Sequence, residues 1–319
     1  MGAADVERGN KVKKILILVS SKSDNKSKLE GLLNKHLKGS GVSLTTATFS
    51  ELFFDISENK LVVKIGKLNI QNFDLIYLRH AGKKYSGYAI SLAVYLEHLG
   101  IKYFDTIYGT VGPKTAKFTP LLRILLGGCA VPRTVYFVKP EMDAYYKYLV
   151  TNLGLPFVAK NIALQRGAGV FLVKNKTDFN KLPDRKGKDG LNEYMFQKLI
   201  DKDHEYRLLV LGQKIGVWEE KIAKDPEEFR NNVALGAREV FFDVKDTPKN
   251  ISDIALCAAG VLSIQIAGVD VMTEKRSGKP YILEVNRGPG LTYDEKVSPE
   301  FAQIAKFFKS EIEKNSSND

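Results

Sequence analysis

The chain has 319 residues, of which 44% are hydrophobic, so it can bury a large core and is long enough for two or three modules. Its 48 Lys and Arg residues against 37 acidic residues give a net charge of +11, which favours partners that carry phosphate or carboxylate groups. The two cysteines, Cys129 and Cys257, are too few for a disulfide framework, and neither they nor the four scattered histidines have zinc-site spacing. The composition therefore predicts a globular protein of a reducing cytoplasm.

No apolar run approaches the roughly 20 residues that a membrane-spanning helix needs, and no apolar signal region opens the chain. We therefore expect a soluble protein with no membrane partner. Residues 1–11 and 315–319 are polar and are interpreted as tails, the first of them either disordered or an expression remnant.

In chain order, the first elements alternate between strand and helix. The lysine-led apolar run VKKILILVSS at 12–21 predicts a strand, and KLEGLLNKHL at 28–37 has helical spacing. Three further strands, a helix at 88–100 and a strand at 101–105 follow. Residues 12–112 are thus predicted to form an N-terminal open α/β module.

A new module begins near Pro113, where a helical stretch runs up to two glycines and is followed by a strand and a second helix. Residues 155–175 then predict a β-hairpin with a basic, glycine-containing tip. We assign residues 113–196 to a central lid subdomain. Residues 197–314, which contain several strands, a helix and an amphipathic closing helix, are assigned to a C-terminal subdomain.

Oxygen donors that suit a metal ion lie in the last two predicted strands. In YILEVN, Glu284 and Asn286 share one face because side chains alternate along a strand, and Asp270 lies between apolar neighbours in AGVDVM. Carboxylate and amide oxygens are the ligands that Mg²⁺ takes. By itself, the triplet also fits strand-end acids that face solvent, but the following RGPG turn would let backbone approach a ligand closely.

Basic residues and glycines that could hold phosphate precede this triplet. Lys117 stands before a helix, Lys160 interrupts the apolar strand FVAKNIAL, and Arg166, Gly167 and Gly169 lie at the hairpin tip. The segment FRNN at 229–232 offers a guanidinium and two amides, which suit a γ-phosphate or an acyl phosphate. Neither a P-loop, nor a strand–GxGxxG–helix unit, nor a GxSxG serine elbow occurs, which disfavours P-loop NTPases, dinucleotide dehydrogenases and serine hydrolases.

Taken in order over roughly residues 74–308, these motifs resemble the ATP-grasp superfamily and, within it, the RimK-type carboxylate–amine ligases. The matching segments are Lys117 ahead of VPRT, Lys160 before QRGAGV, QKLI at 197–200, EYR at 205–207, FRNN, GVDV and EVNRGPGL. The resemblance implies an ATP-grasp fold of α/β and α+β class, with ATP sandwiched between two α+β subdomains behind an N-terminal pre-ATP-grasp module.

The resemblance also implies a role for each matched residue. Asp270, Glu284 and Asn286 would hold Mg²⁺, with Mn²⁺ as an alternative, while Arg230 and Asn232 would be catalytic. The residues implied to bind ATP are Lys117, Lys160, Arg166, Gly167, Gly169, Gln197, Lys198, Leu199, Glu205, Arg207 and Asn231. Within that set, the lysines would meet phosphates, QKLI the adenine and Glu205 the ribose.

The implied reaction activates a carboxylate as an acyl phosphate and joins it to an amine, plausibly by adding glutamate or another amino acid to a peptide, protein or small acidic acceptor. The alternatives are a ligase that cross-links side chains of a precursor peptide and a non-catalytic nucleotide- or nucleic-acid-binding protein. Nucleic acid is disfavoured as a partner, and an oligomer stays open. Arg79, after a strand, and Arg287, where RimK-type enzymes carry a small residue, are candidate contacts for the substrate carboxylate.

Overall fold

The computed structural model describes residues 12–21, 24–57, 60–110, 117–137, 142–162, 164, 169–183, 193–222 and 238–316. The chain divides into two compact units. The first comprises residues 1–114, 264–266 and 287–319, and the second comprises residues 115–263 and 267–286. The closing helix, which the sequence analysis assigns to the C-terminal subdomain, is thus part of the first unit, and the boundaries between the predicted subdomains stay a prediction.

Most elements are short and follow one another closely. The strands are β1 Lys13–Val19, β2 Val42–Thr48, β3 Leu52–Ser57, β4 Lys60–Ile65, β5 Leu68–Asn69, β6 Leu75–Leu78, β7 Lys102–Phe104, β8 Thr134–Tyr136, β9 Phe157–Asn161, β10 Val170–Val173, β11 Tyr194–Lys198, β12 Lys202–Leu211, β13 Lys214–Ile222, β14 Arg238–Phe242, β15 Ile266–Glu274 and β16 Pro280–Arg287. The helices are α1 Asp24–Leu37, α2 Gly82–His98, α3 Phe118–Leu126, α4 Met142–Leu153, α5 Lys176–Asn180, α6 Lys249–Val261 and α7 Glu300–Ser316.

The first unit is built on a four-stranded sheet with the order β2-β1-β6-β7, in which all neighbours are parallel. Strand β1 lies inside this sheet, and its residues from Ile15 to Val19 are at most 2% exposed, which explains the unbroken apolar run in the sequence. The chain leaves β1 to one side for β2 and to the other side for β6. A switch in direction of this kind opens a ligand crevice at the carboxyl ends of the strands.

A small antiparallel sheet, β3-β4-β5, and the helices α1, α2 and α7 complete the first unit. Helix α7 brings Phe307 and Phe308 against aromatic rings at the ends of the parallel strands: the Phe307 and Phe104 ring centroids lie 5.4 Å apart, and those of Phe308 and Tyr77 lie 6.2 Å apart. The amphipathic pattern that predicts this helix is therefore explained by burial of its apolar face on the sheet.

The second unit contains two sheets. The first of them, β10-β9-β11-β8, is antiparallel and packs on α4, with a core that includes Phe157, Phe179 and Phe196. The second has five strands in the order β14-β13-β12-β15-β16, so that β15 and β16, which carry the predicted metal ligands, lie at one end of it. Two sheets in one unit agree with the predicted pair of α+β layers.

Helices α3 and α6 of the second unit approach each other closely. A Cβ built on Gly127, at the end of α3, would lie 2.3 Å from Val261 Cγ2 of α6, so only glycine fits there. The next turn joins Cys129 to Cys257 of α6 in a disulfide with the Cα atoms 6.6 Å apart. The sequence spacing gives no indication of this pair, because the two cysteines are 128 residues apart and meet only through helix packing.

Within the described part of the chain, no helix is both long enough and apolar enough to cross a bilayer. The predicted helices at 28–37 and 88–100 and the predicted closing helix correspond to α1, α2 and α7, and the hairpin at 155–175 is formed by β9 and β10. Strands β3, β5 and β14 and the short helix α5 have no counterpart among the sequence predictions.

Candidate active site

Asp270 on β15 is the centre of a buried charge cluster on the five-stranded sheet. The residue is 7% exposed, and each of its two carboxylate oxygens accepts two hydrogen bonds. Oδ1 accepts from Arg207 Nε at 2.9 Å and from Lys221 Nζ at 2.6 Å. Oδ2 accepts from Arg207 Nη2 and from Asn286 Nδ2, both at 3.0 Å. The fold therefore places Arg207, a predicted nucleotide contact 63 residues before Asp270, against Asp270 and Asn286, two predicted metal ligands.

The surroundings of Asp270 keep it ionised. Burial by itself would raise the pKa of Asp270, but the charges and hydrogen bonds of Arg207 and Lys221 hold that pKa well below its usual range. A carboxylate that is both desolvated and ionised attracts cations strongly. In this cluster the attracted cations are Arg207 and Lys221, which compensate the negative charge of Asp270.

Glu284 and Asn286 lie on β16, two residues apart and on the same face of the strand. Asn286 is half-buried and bonded to Asp270, whereas Glu284 is exposed. Two carboxylates and an amide are hard oxygen donors of the kind that Mg²⁺ takes. The donor set therefore fits magnesium, with Glu284 as the most accessible ligand and Asp270 as one already occupied by hydrogen bonds.

Two predicted phosphate-binding lysines share this charge environment. Burial lowers the pKa of Lys160 on β9, while the negative charge of Glu284 acts in the opposite direction and the positive charge of Lys117 acts with burial. Lys117 is half-buried directly before α3. Two lysine ammonium groups in one region are suited to an anionic ligand such as a polyphosphate.

Glu205 on β12 is the predicted ribose contact and is 8% exposed. Burial and the charge of Asp270 raise the pKa of Glu205 to about 7, although Lys202, Lys221 and Lys160 act to lower it. Its Oε2 lies 3.8 Å from Lys202 Nζ. A carboxyl group with this pKa can both donate and accept a hydrogen bond near neutral pH, which is compatible with a sugar hydroxyl.

The predicted adenine segment runs from the end of β11 into the link to β12. Gln197 is 2% exposed, and its Nε2 donates to Thr134 Oγ1 at 2.9 Å, while the Lys198 amide donates to the Arg133 carbonyl at 2.9 Å. These bonds fix the segment to the start of β8, where the VPRT motif at 131–134 ends. Lys198 itself is exposed and Leu199 is half-buried, so any recognition of adenine here is expected to use backbone groups.

Of the hairpin tip, Gly169 is described: its carbonyl accepts from the Asn161 amide at 2.7 Å. A Cβ there would lie 2.9 Å from Asn161 Cβ and from Leu164 Cβ, so the turn needs a glycine. The remaining predicted residues of the tip and of the FRNN segment, which are Arg166, Gly167, Arg230, Asn231 and Asn232, lie outside the described residues.

The RGPG turn that follows Asn286 belongs to the first unit and packs on the residues after β6. Gly288 has a φ of +54°, and a Cβ on it would lie 2.9 Å from His80 Cβ. Arg79 Nη2 donates to the Pro289 carbonyl at 2.6 Å. The close backbone approach predicted for this turn is thus an approach to the chain itself, and Arg79 holds the turn in place.

Arg287 takes part in a second buried cluster, at the ends of β6 and β7. Its guanidinium carbon lies 5.1 Å from the centre of the Tyr108 ring. Asp105 is fully buried, and its Oδ1 accepts from the Gln265 and Ile266 amides at 2.9 and 3.1 Å. Three buried polar atoms of this cluster find no hydrogen-bond partner among the described residues: Tyr77 Oη, Asp105 Oδ2 and Arg287 Nη1. Orphaned groups that share one place indicate a polar site, and not a simple apolar core.

Burial raises the pKa of Asp105 to about 7, although the backbone amide of Ile266 and the charge of Arg287 act to lower it. The unfolded chain loses this proton near pH 4, so folding stability from this group is greatest below about pH 4 and is lost as the pH rises towards 7. Asp105→Asn should remove that loss. We expect the stability of Asp105→Asn to fall less between pH 5 and pH 8 than that of the wild type. The measurement is unfolding in urea, monitored by hydrogen exchange of the backbone amides in β6 and β7.

Asp74→Asn in the same unit is the matched control, because Asp74 is partly exposed and paired with Lys13 at 3.2 Å. Asp74→Asn should show the same fall in stability between pH 5 and pH 8 as the wild type. Equal pH profiles for the wild type and Asp105→Asn would contradict the assignment to Asp105.

Lys221 and Asp105 are charged residues of these clusters that the sequence motifs did not indicate. Lys221 is 5% exposed, and its signal is the segment WEEKI, where Glu219 and Lys221 occupy the inward face of a strand. Asp105 ends an apolar strand, a position that also suits a solvated turn. Only the long-range contacts distinguish these buried charges from surface ones.

Comparison with solved structures defines the class of fold. The ATP-grasp ligase PsnB, complexed with a phosphomimetic variant of a minimal precursor, Mg and ADP, superposes with a TM-score of 0.70 at 14% identity, covering 94% of this chain and 99% of that one. The fold is therefore the ATP-grasp fold, as predicted. The RimK-like ATP-grasp domain model matches residues 128–305, which is more than half of the chain. This chain belongs to the RimK-like ATP-grasp family.

Among its relatives is a probable alpha-L-glutamate ligase of Enterobacter sp. strain 638, 32% identical over 148 residues, which are 46% of this chain and 47% of the relative. A protein of the same name from Legionella pneumophila strain Corby is 26% identical over 235 residues, which are 73% of this chain and 74% of the relative. The chain thus matches about half the length of the first relative and three quarters of the second.

Proposed function

We propose that this chain is an ATP- and magnesium-dependent carboxylate–amine ligase that forms an amide or peptide bond through an acyl phosphate. The observation that carries the proposal is the charge arrangement of the second unit. An ionised Asp270 bonded to Asn286 and an exposed Glu284 are suited to a metal ion, and two nearby lysines, Lys117 and Lys160, are suited to phosphate. Magnesium and cationic phosphate contacts are what phosphoryl transfer from ATP requires.

In the proposed reaction, the γ-phosphoryl group of ATP passes to a carboxylate oxygen, which gives ADP and an acyl phosphate. The amine nitrogen then attacks the acyl carbon, the bond from that carbon to the phosphate oxygen breaks, phosphate leaves and the amine loses a proton. Lys117 and Lys160 would bind the α and β phosphates, and Asp270, Glu284 and Asn286 would hold Mg²⁺, or Mn²⁺ in its place. A bound magnesium ion would neutralise phosphate charge.

The predicted catalytic pair, Arg230 and Asn232, would stabilise the transferred group and the tetrahedral intermediate. Glu205 would meet the ribose, and the backbone of 197–200 the adenine. Arg207 is proposed to orient Asp270, because its guanidinium forms both hydrogen bonds of a fork with that carboxylate.

For the substrates, we propose the addition of glutamate or another amino acid to a peptide, protein or small acidic acceptor in the cytoplasm. The names of the two relatives support glutamate, and the net charge of +11 supports an acidic acceptor. The second candidate is a ligase that cross-links side chains of a precursor peptide. It is favoured by the structure of PsnB, which was solved with a variant of its minimal precursor.

Arg79 and Arg287 are proposed to bind the substrate carboxylate. Arg79 follows β6 at the edge where the strand order of the parallel sheet reverses, which is where ligands bind in open α/β sheets. Next to it, His80 adopts a φ of +53°, a backbone strain that is common at functional sites. Arg287 contributes a buried Nη1 that has no partner among the described residues.

The proposal is tested by incubating the protein with ATP, MgCl₂ and pooled acids and amines while phosphate release and product mass are recorded. Phosphate release that requires both an acid and an amine is expected. An added glutamyl residue would support the first candidate, and loss of water from one peptide would support the second. ATP binding without turnover over a broad panel would overturn the ligase proposal in favour of a non-catalytic nucleotide-binding protein.

Arg287→Gln should raise the apparent KM for the acid substrate about tenfold, because a charge-assisted contact is worth about 1.5 kcal/mol or more. The KM for ATP should change little. Arg123→Gln is the matched control, since it removes a partly buried guanidinium of the second unit that donates to the Val261 carbonyl at 3.2 Å. An unchanged KM for the acid in Arg287→Gln would remove this residue from the substrate site.

A further inference from the structure

The four hydrogen bonds to Asp270 are not equivalent. Arg207 forms a fork with one bond to each oxygen, so it occupies the inner edge of the carboxylate. The two outer positions are taken by Lys221 on Oδ1 and by Asn286 on Oδ2. A cation that binds Asp270 from outside must therefore meet either Lys221 or Asn286.

Lys221 and a divalent cation would compete for the same atom, Oδ1 of Asp270. The Lys221 ammonium lies 2.6 Å from Asp270 Oδ1, and its side chain is 5% exposed. Magnesium binds carboxylate oxygens at roughly 2.0–2.1 Å, which is too close for an ammonium on the same oxygen without strong repulsion in a buried site. Asn286 differs, because its Nδ2 can stay on Asp270 while its Oδ1 is a metal ligand.

We propose that Lys221 is a positioning residue that competes with the divalent cation for Oδ1 of Asp270, so that the metal binds well only together with nucleotide. The inference rests on the proposed function, because it takes Asp270 as a metal ligand. Phosphate oxygens of ATP would give the displaced ammonium a new anionic partner. The site would thereby favour the metal–ATP complex over the metal alone.

The structure supports Lys221 as the residue that moves. It holds Asp270 by a single bond at the end of a flexible four-carbon stem, whereas the Arg207 guanidinium is rigid and bidentate. The charge of Lys221 also acts on Glu205, the predicted ribose contact, so a second carboxyl group lies near enough to interact with the Lys221 ammonium. Both features lower the barrier to an exchange of partners.

The test measures how tightly the full chain binds Mn²⁺ in the absence of nucleotide, with electron paramagnetic resonance as the readout. Lys221→Met should bind Mn²⁺ at least tenfold more tightly than the wild type. Lys202→Met is the matched control: it removes the same charge next to Glu205, 3.8 Å from its Oε2, and should change the affinity less than threefold. Lys221→Arg, which keeps the charge, should also bind Mn²⁺ weakly.

Equal or weaker Mn²⁺ binding by folded Lys221→Met would overturn the proposal, as would an equal gain in Lys202→Met. Should Lys221→Met not fold, Lys221→Gln tests the same point, with thermal stability against Mn²⁺ concentration as the second readout. Adding Glu284→Gln to the neutral variant should abolish the gain, and a gain that survives would place the metal elsewhere. A wild type that binds no Mn²⁺ even with ATP would refute the proposed function, whereas failure of the neutral variant alone refutes only this inference.

Discussion

Glu284→Gln is expected to lower kcat about a thousandfold, equivalent to ~4 kcal/mol of transition-state stabilisation. The physical reason is the loss of the one exposed carboxylate in the proposed metal site, while Asp270 is already bonded to Arg207, Lys221 and Asn286. The fold should be preserved, because substitution of an exposed side chain changes stability by about 0.5 kcal/mol or less. The measurement is phosphate release under saturating ATP and substrates, over a series of Mg²⁺ and Mn²⁺ concentrations.

Glu274→Gln is the control for this change, since Glu274 lies on β15 and accepts a hydrogen bond from Ser277, away from the charge cluster. Its kcat should stay within about threefold of the wild type, which is under 1 kcal/mol. In Glu284→Gln, the metal concentration needed for half-maximal activity should rise. Full turnover at ordinary Mg²⁺ concentration would remove Glu284 from the site and, with it, the proposed metal set.

Asp270→Asn is expected to destabilise the second unit by about 3 kcal/mol and to abolish turnover, because it leaves Arg207 and Lys221 without their shared counter-charge in a buried place. Trp218, the single tryptophan of the chain, lies on β13, the strand that also carries Lys221, and reports the unfolding of this sheet by its fluorescence. The quantity to compare is the free energy of unfolding in urea.

Asp253→Asn provides the matched comparison, since it breaks an exposed ion pair with Lys249 and should cost less than about 1 kcal/mol. Adding Lys221→Met to Asp270→Asn should restore part of the lost stability, because one of the stranded charges is then gone. Purely additive effects of the two substitutions would show that Lys221 does not depend on Asp270.

Part of the site could be predicted because its motifs are local. The E-x-N pair on one face of β16 follows from strand alternation, and Gly169 follows from the needs of a tight turn. The ordered motifs from Lys117 to EVNRGPGL led to the ATP-grasp fold, which the comparison with solved structures confirmed. The roles given to the single residues stay predictions.

The partners of these residues could not be predicted in the same way. Arg207 was assigned to nucleotide binding, yet its guanidinium holds Asp270, a residue 63 positions away. Arg79 was assigned to a substrate carboxylate, and it bonds the Pro289 carbonyl 210 positions away. Such contacts depend on which strands become neighbours, and neither spacing nor composition contains that information.

The sequence by itself determined the alternation of strands and helices, the basic charge, the oxygen donors of β15 and β16 and the membership of a fold class. These features arise from periodicities of two and 3.6 residues and from short motifs, which act over a few positions. The tertiary structure alone decided that Lys221 shares Asp270 with Arg207, that Asp105 is buried beside two arginines, and that Cys129 meets Cys257. The reason is physical: a buried charge is stable only when opposite charges or donors surround it, and here they come from strands that are distant in the chain.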